Sequence, residues 1–173
     1  MSDLQTARRR WLLRMAAAAL PFSSALAAPD ASERLLPSSD DLQRDLALAL
    51  ARREPLVVMA TLHGCPFCRV VREHHLLPLQ RAGACVTQIH FLAREPLRDM
   101  SGAQTTHGAL VRHLSIEVAP TVLFYGAGAR EVSERLAGSS IPDFYGAYLD
   151  ERVARARAAV RGSEPGQGAS RSS

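Results

Sequence analysis

The fold of this chain is decided by one stretch of sequence, Leu56-Val57-Val58-Met59-Ala60-Thr61-Leu62 followed by His63-Gly64-Cys65-Pro66-Phe67-Cys68. The first part is a short, continuous apolar run, partly β-branched, which is typical of a strand covered on both faces. The second part predicts a turn into a helix, because proline suits the first turn of a helix. The stretch therefore predicts a buried strand that leads directly into a helix, with two cysteines at the junction.

The two cysteines of this junction are expected to differ in their surroundings. Cys65 would be exposed at the helix N-terminus, where unpaired N–H groups and the helix dipole favour a thiolate. Cys68, one turn further, would lie deeper and close enough to attack a mixed disulfide formed at Cys65. We therefore predict a redox-active disulfide in which Cys65 is the attacking sulfur and Cys68 the resolving one.

Three other interpretations of the cysteine pair compete with this one. A structural disulfide here would close little chain and would stabilise little. A closed zinc site needs two more ligands and no second CxxC occurs, although His63, His74 and His75 lie near in sequence and keep a weak metal role open. Incidental cysteines are disfavoured by their placement at the junction. We assign no metal ligand and expect a redox dithiol.

Outside the junction, apolar spacing and the positions of glycine and proline predict the remaining elements. The first is a helix with Ser39 as N-cap, the acids Asp40 and Asp41 in its first turn, and Leu42, Leu46 and Leu50 at helical spacing. The middle elements are a helix after Cys68 that bends or stops near Pro78, a strand over 86–92, a loop over 93–103, a helix from Thr105 or Thr106 to about Leu114, and strands over 121–125 and 132–136. The last is a helix over about 141–160 with Phe144, Tyr148 and Val153 on an apolar stripe that Tyr145 and Leu149 widen.

The order of these elements predicts the fold class. The first strand–helix–strand unit requires a right-handed crossover and parallel pairing, whereas the later pair of strands forms an antiparallel hairpin. The result is an α/β fold with a four-stranded mixed sheet and helices on both faces. We expect the domain over residues 39–161, after a linker over 28–38 and before a disordered tail over 162–173.

The first 27 residues have the pattern of an export signal. Arg8-Arg9-Arg10 precedes an apolar run, and Ala25-Leu26-Ala27 offers the small residues that a signal peptidase reads. Two adjacent arginines before an aromatic residue and leucine also resemble a twin-arginine signal, although Ala7 stands where that signal prefers Ser or Thr. We predict a signal peptide over 1–27, export by the twin-arginine or the general secretory route, and a periplasmic, disulfide-permissive location.

The charge of the chain resides largely in that predicted signal. All 21 basic residues are arginine, and the net charge is +4 over 173 residues. Loss of residues 1–27 removes four arginines and Asp3, which leaves 17 arginines against 16 acids, a net charge of +1. A near-neutral domain lacks the excess of basic residues with which proteins bind nucleic acid, so we do not expect nucleic acid as a partner.

Residues 40–160 resemble the thioredoxin superfamily. The resemblance rests on the strand that runs into Cys65-Pro66-Phe67-Cys68, on Val118-Ala119-Pro120-Thr121 before a strand, and on Leu136-Ala137-Gly138 before the last helix. The chain looks most like the exported single-domain thioredoxin-like proteins of bacteria, including those encoded with sulfur-oxidation genes. The resemblance implies a cis bond at Pro120 and an extended substrate chain held by Ala119. It makes Ala119, Pro120 and Phe67 the candidate substrate-binding residues.

The chain departs from that family at positions that bear on mechanism. Thioredoxins proper have Trp before the first cysteine, where Gly64 stands here, and a buried acid six residues before it, where Met59 stands here. The proton acceptor for Cys68 must then be water or another group, with His63 and Glu117 as candidates. The Pro-Phe dipeptide resembles glutaredoxins, which favours a potential above the roughly −270 mV of thioredoxin.

These observations predict an extracytoplasmic thiol–disulfide oxidoreductase that reduces protein disulfides. We expect disulfide-containing or dithiol proteins as substrates, a membrane protein as electron donor because no nicotinamide or flavin fingerprint occurs, no bound cofactor, and a monomer. The alternatives are a carrier of a soft ion such as Cu(I) on Cys65 and Cys68, or a redox-inert adaptor. The third cysteine, Cys85, begins the second strand and is expected to be a buried free thiol.

Overall fold

Strand β1 (Leu56–Thr61) is formed by the apolar run, and all of its residues are buried. It pairs in parallel with β2 (Cys85–His90) and antiparallel with β5 (Thr121–Gly126), which in turn pairs antiparallel with β6 (Arg130–Ala137). The sheet order is β2-β1-β5-β6. This confirms the predicted fold class, a four-stranded mixed sheet with parallel pairing in the first half and a hairpin in the second.

Helices cover both faces of the sheet, which explains why β1 is apolar without alternation. Helix α2 consists of Pro66–Val71, a π-helical turn over Arg72–Leu76, and Leu77–Arg81, and helix α4 spans Pro142–Gly162. On one face of the sheet, Val57 and Met59 pack with these two helices. On the other face, Val58 and Ala60 pack with helix α1 (Leu42–Ala51) and helix α3 (His107–His113). Residues 56–60 of β1 thus all pack in an apolar layer on one side of the sheet or the other.

The computed structural model describes residues 31–139 and 142–162. The predicted signal peptide over 1–27 lies outside the described residues, as does the predicted tail after Gly162. Within the described ranges, no helix is both long and apolar enough to cross a bilayer.

Several predicted details are wrong in ways that the packing explains. The N-cap of α1 is Asp41 alone, whose Oδ1 accepts the Arg44 N–H at 2.8 Å, while Ser39 instead donates to Asp45 at 2.6 Å. Strand β2 ends at His90 rather than at 92. The predicted loop over 93–103 contains a short strand β3 (Pro96–Arg98), which pairs antiparallel with β4 (Gln104–Thr106).

The buried stripe of helix α4 is only part of the predicted one. Phe144 and Tyr148 are exposed, at 60% and 44%, whereas Tyr145 and Leu149 are buried together with Val153. The buried set recurs at intervals of four residues, so it lies on one face of the helix. Phe144 and Tyr148 have the same spacing one residue earlier along the helix. The sequence pattern alone therefore does not show which of the two sets is buried.

Residues 31–38, expected to be a linker, pack against the domain. They include a 3₁₀ turn (Ala31–Arg34) in which Ser32 and Glu33 are buried, and Leu36 lies in the core at 2% exposure. The segment continues as a parallel bridge between Ser38 and the second strand. The folded unit therefore begins before residue 39.

A buried arginine holds this segment to the sheet. Arg72, 1% exposed, donates to Gln88 Oε1 at 3.1 Å, Ser32 Oγ at 2.9 Å and Thr61 Oγ1 at 2.7 Å. The amide nitrogen of Gln88 in turn donates to the carbonyls of Glu33 at 2.5 Å and Leu36 at 3.0 Å. Such a network stabilises only while every member keeps its partners, because an unpaired buried polar group costs free energy.

We expect Arg72→Ala to lower the free energy of unfolding by about 3 kcal/mol or more, since each buried oxygen left unpaired costs about 1–3 kcal/mol. Urea unfolding followed by circular dichroism measures the change. Arg81→Ala, at an exposed arginine of the same helix, is the matched control and should stay within about 0.5 kcal/mol of the parent. Equal losses in both variants would contradict the role given to the Arg72 network.

Candidate functional site

The two cysteines lie where the end of β1 turns into helix α2, and they form a disulfide with a Cα–Cα distance of 5.2 Å. Cys65 is the N-cap of the helix, and its Sγ accepts the backbone N–H of Cys68 at 3.1 Å. Cys65 is half-buried, whereas Cys68 is fully buried. A dithiol–disulfide pair thus sits at a helix N-terminus with only its first sulfur near the surface, which supports a thiol–disulfide oxidoreductase.

The turn before the first cysteine depends on Gly64. Its φ of +67° lies in the left-handed region, which side chains disfavour, and no atom lies within 4 Å of the place where a Cβ would stand. Backbone conformation, rather than crowding, therefore accounts for glycine where thioredoxins carry a tryptophan. The surface ahead of Cys65 is left open.

The predicted substrate-binding residues lie in two segments. The peptide bond between Ala119 and Pro120 is cis, as the resemblance implied, and the Thr121 hydroxyl donates to the Val118 carbonyl at 2.6 Å. Cys65 and Ala119 both border the core cluster that contains Cys68. Phe67 is 60% exposed, on the first turn of α2. Substrate binding by Ala119, Pro120 and Phe67 stays a prediction.

The position of the thioredoxin acid is occupied by an apolar side chain. Met59 is fully buried in the same core cluster as Cys68, so it offers no proton acceptor there. Of the two candidates from the sequence, Glu117 is exposed and His63 is engaged with another residue, Glu33.

Glu33 is the site residue that the sequence did not reveal. Its buried carboxylate lies 2.5 Å from His63 Nδ1 and accepts the backbone N–H of Gly64 at 3.2 Å. It thereby fixes the two residues that precede Cys65. Glu33 belongs to the segment predicted as a linker and is 30 residues from His63, so no motif spacing could have joined them.

The third cysteine is less buried than expected. Among the described residues, Cys85 remains a free thiol at the start of β2 and is half-buried. Burial raises the pKa of its thiol, and the nearby Arg52 offsets this only in part. Cys85 should therefore be a weak nucleophile at neutral pH.

The histidines next to the motif in sequence do not converge on the dithiol. His74 and His75 lie on the π-helical turn of α2, where His74 is exposed and His75 packs on the Tyr145 ring at 5.0 Å. Burial lowers the pKa of His75. Neither belongs to a group of closely spaced metal-ligating atoms within the described part of the chain.

Comparisons with known proteins return similarities of structure. No protein-family model and no curated protein matches the chain. A thioredoxin from Thermus thermophilus has 24% identity and a TM-score of 0.47, covering 66% of this chain and 85% of its own. The periplasmic thioredoxin SoxS from Paracoccus pantotrophus has 23% identity and a TM-score of 0.38, with coverage of 60% and 99%. A thioredoxin-fold protein from Helicobacter pylori has 11% identity and a TM-score of 0.47, with coverage of 77% and 94%.

In the reduced protein we expect iodoacetamide to alkylate Cys65 at least about tenfold faster than Cys68, the ratio that one pKa unit gives. The reason is that, of these two residues, only Cys65 lies near the surface and accepts a backbone N–H at the helix start. Peptide mass spectrometry of samples quenched over time measures both rates.

The control is the same reaction in guanidinium chloride, where all three cysteines should react at similar rates because their surroundings are lost. Cys85 should lag behind Cys65 in the folded protein, since its thiol pKa is raised. Folded-state rates that are equal for Cys65 and Cys68 would overturn the difference in surroundings.

Proposed function

We propose that the protein is an extracytoplasmic thiol–disulfide oxidoreductase that reduces disulfides of other proteins. The observation that carries the proposal is the placement of Cys65 at the helix N-cap, with Cys68 fully buried one turn further. The first sulfur can meet a partner, and the second can be reached only from the first. This asymmetry is what two-step exchange requires.

The reaction conserves atoms and electrons in two displacements. In the reduced protein, the Cys65 thiolate attacks one sulfur of the partner disulfide, so a Cys65–partner mixed disulfide forms and the other partner sulfur leaves as a thiolate. Cys68 then attacks the Cys65 sulfur, which releases the second partner thiolate and leaves the Cys65–Cys68 disulfide. The partner gains two electrons and the protein loses two.

The proton of Cys68 must leave before the second displacement. Met59 cannot accept it, and burial disfavours an isolated thiolate. Water, or the thiolate that the partner has just released, is the acceptor we propose. The hydrogen bond from the Cys68 N–H to the Cys65 sulfur holds the two groups one turn apart for the attack.

Reduction is favoured over oxidation by the size of the domain. The periplasmic disulfide oxidases that it might otherwise resemble carry a large helical insertion. Here, within the described ranges, the connection from β2 to α3 holds only the short β3–β4 pair. A reductase must be reduced again after each turnover, and we propose a membrane protein as its electron donor.

We expect Cys65→Ser to abolish reduction of insulin by dithiothreitol through this protein, because no sulfur then starts the exchange. Cys68→Ser should accumulate mixed disulfides with partner proteins, which non-reducing electrophoresis detects. Cys85→Ser is the matched control and should keep full turnover. Full turnover by Cys68→Ser would exclude Cys68 as the resolving sulfur.

The insulin assay, combined with a Cu(I) titration of the reduced protein, separates the proposed reductase from a copper carrier. Absent turnover together with uptake of one Cu(I) by the reduced dithiol would favour the carrier. Absent turnover without copper uptake would favour a redox-inert adaptor.

We expect the full chain to reach the periplasm of a bacterial host in a form shortened by residues 1–27. Cell fractionation followed by intact-mass measurement tests both points. If the twin-arginine route is used, the double change Arg8→Lys and Arg9→Lys should retain the precursor in the cytoplasm. If that variant reaches the periplasm at the same rate as the parent, export uses the general secretory route. If the parent itself stays in the cytoplasm with residues 1–27 uncleaved, export is contradicted.

A further inference from the structure

A group of nitrogen and oxygen donors lies at the carboxyl ends of β1 and β2, beside the dithiol but without either sulfur. Glu33, His63 and His90 each offer one ligating atom, and these atoms all lie within 4.8 Å of one another. His90 is the last residue of β2 and pairs with Thr61, the last residue of β1. Three distant parts of the chain therefore converge on one point.

We propose that Glu33, His63 and His90 bind one borderline divalent cation, represented by Zn²⁺. Two imidazoles and one carboxylate form a donor set that zinc accepts in open sites with three protein ligands. Soft ions such as Cu(I) prefer sulfur, which this group lacks. The proposal does not depend on the proposed function, because no cysteine takes part.

The ring of His90 supplies the strongest support. Its Nδ1 is buried and has no hydrogen-bond partner within the described part of the chain. With its proton on Nε2, the ring presents a lone pair at Nδ1, and a metal ion would satisfy this buried atom.

The other two residues each place a ligating atom within 4.8 Å of a ring nitrogen of His90. The rings of His63 and His90 stack with centroids 5.1 Å apart and planes 17° apart. The Glu33 carboxylate, 6% exposed, is aimed at His63 at 2.5 Å. Donors that share a zinc ion at about 2.0–2.2 Å lie about 3–3.5 Å from each other, so closure requires a shift of about an ångström. The His63 side chain, 57% exposed, has room to make it.

A path from solvent leads to the group. A cleft of about 310 Å³ is lined by His63 and His90, and by the carboxylate-bearing residues Asp40 and Glu95. Asp40 forms an ion pair with Arg44, which weakens its attraction for cations, so we expect Glu95 to be the lining carboxylate that raises the local concentration of cations. The guanidinium of Arg72 opposes positive charge at His90, which should hold the affinity below that of a closed structural zinc site.

Zinc titration of the untagged full chain in its disulfide form tests the proposal, because the oxidised dithiol cannot bind metal. We expect one equivalent of Zn²⁺ by calorimetry and a zinc-dependent rise in the unfolding temperature. His63→Gln, His90→Gln and Glu33→Gln should each weaken binding by about 10–100-fold or more, the loss seen even for outer ligand partners. His113→Gln, at an exposed histidine of α3, is the matched control and should bind like the parent.

Replacement of Zn²⁺ by Co²⁺ identifies the ligand atoms from the visible spectrum. Far-ultraviolet dichroism of the same samples shows whether a variant that does not bind has kept its fold. The visible spectrum of the oxidised parent should show nitrogen and oxygen ligation without thiolate charge-transfer bands, and His63→Gln, changed at an exposed side chain, should lose it while its far-ultraviolet dichroism is unchanged. Absence of binding by the oxidised parent would overturn the proposal. Thiolate bands, or equal weakening by His113→Gln, would overturn it as well, by placing the ion on Cys85 or on surface histidines.

Discussion

The hydrogen bond from the Cys68 N–H to the Cys65 sulfur is the constraint on which the site depends. It exists because β1 leads through a short turn into α2, so that Cys65 becomes the N-cap and accepts the backbone N–H of Cys68, which has no partner within the helix. The same helix turn carries Cys68 into the core. One backbone contact thus makes the two sulfurs unequal.

Polar groups buried at the same edge of the sheet keep this junction in place. Arg72 joins helix α2 to β1, β2 and the segment 31–38, and Glu33 of that segment holds the backbone of Gly64. Crevices at the carboxyl ends of parallel strands are where α/β folds commonly place their ligands. In this protein the Cys65–Cys68 disulfide and the donor group of Glu33, His63 and His90 both lie at this edge of the sheet.

Local patterns predicted much of the fold, and the errors have physical causes. The continuous apolar run predicted β1 correctly, because both faces of that strand are covered and no alternation was needed. The predicted stripe of α4 was too wide, since Phe144 and Tyr145 are both aromatic and only packing shows which one is buried. The β3–β4 pair was missed because strands of three residues carry too little periodicity.

The sequence by itself determined the fold class and the CxxC junction at the start of a helix, because both follow from the spacing of neighbouring residues. Only the tertiary structure decided that residues 31–38 belong to the domain and that Glu33 lies against His63. It alone brought His90 to the same place. Such contacts join residues dozens of positions apart, so they cannot be predicted from the spacing of neighbouring side chains.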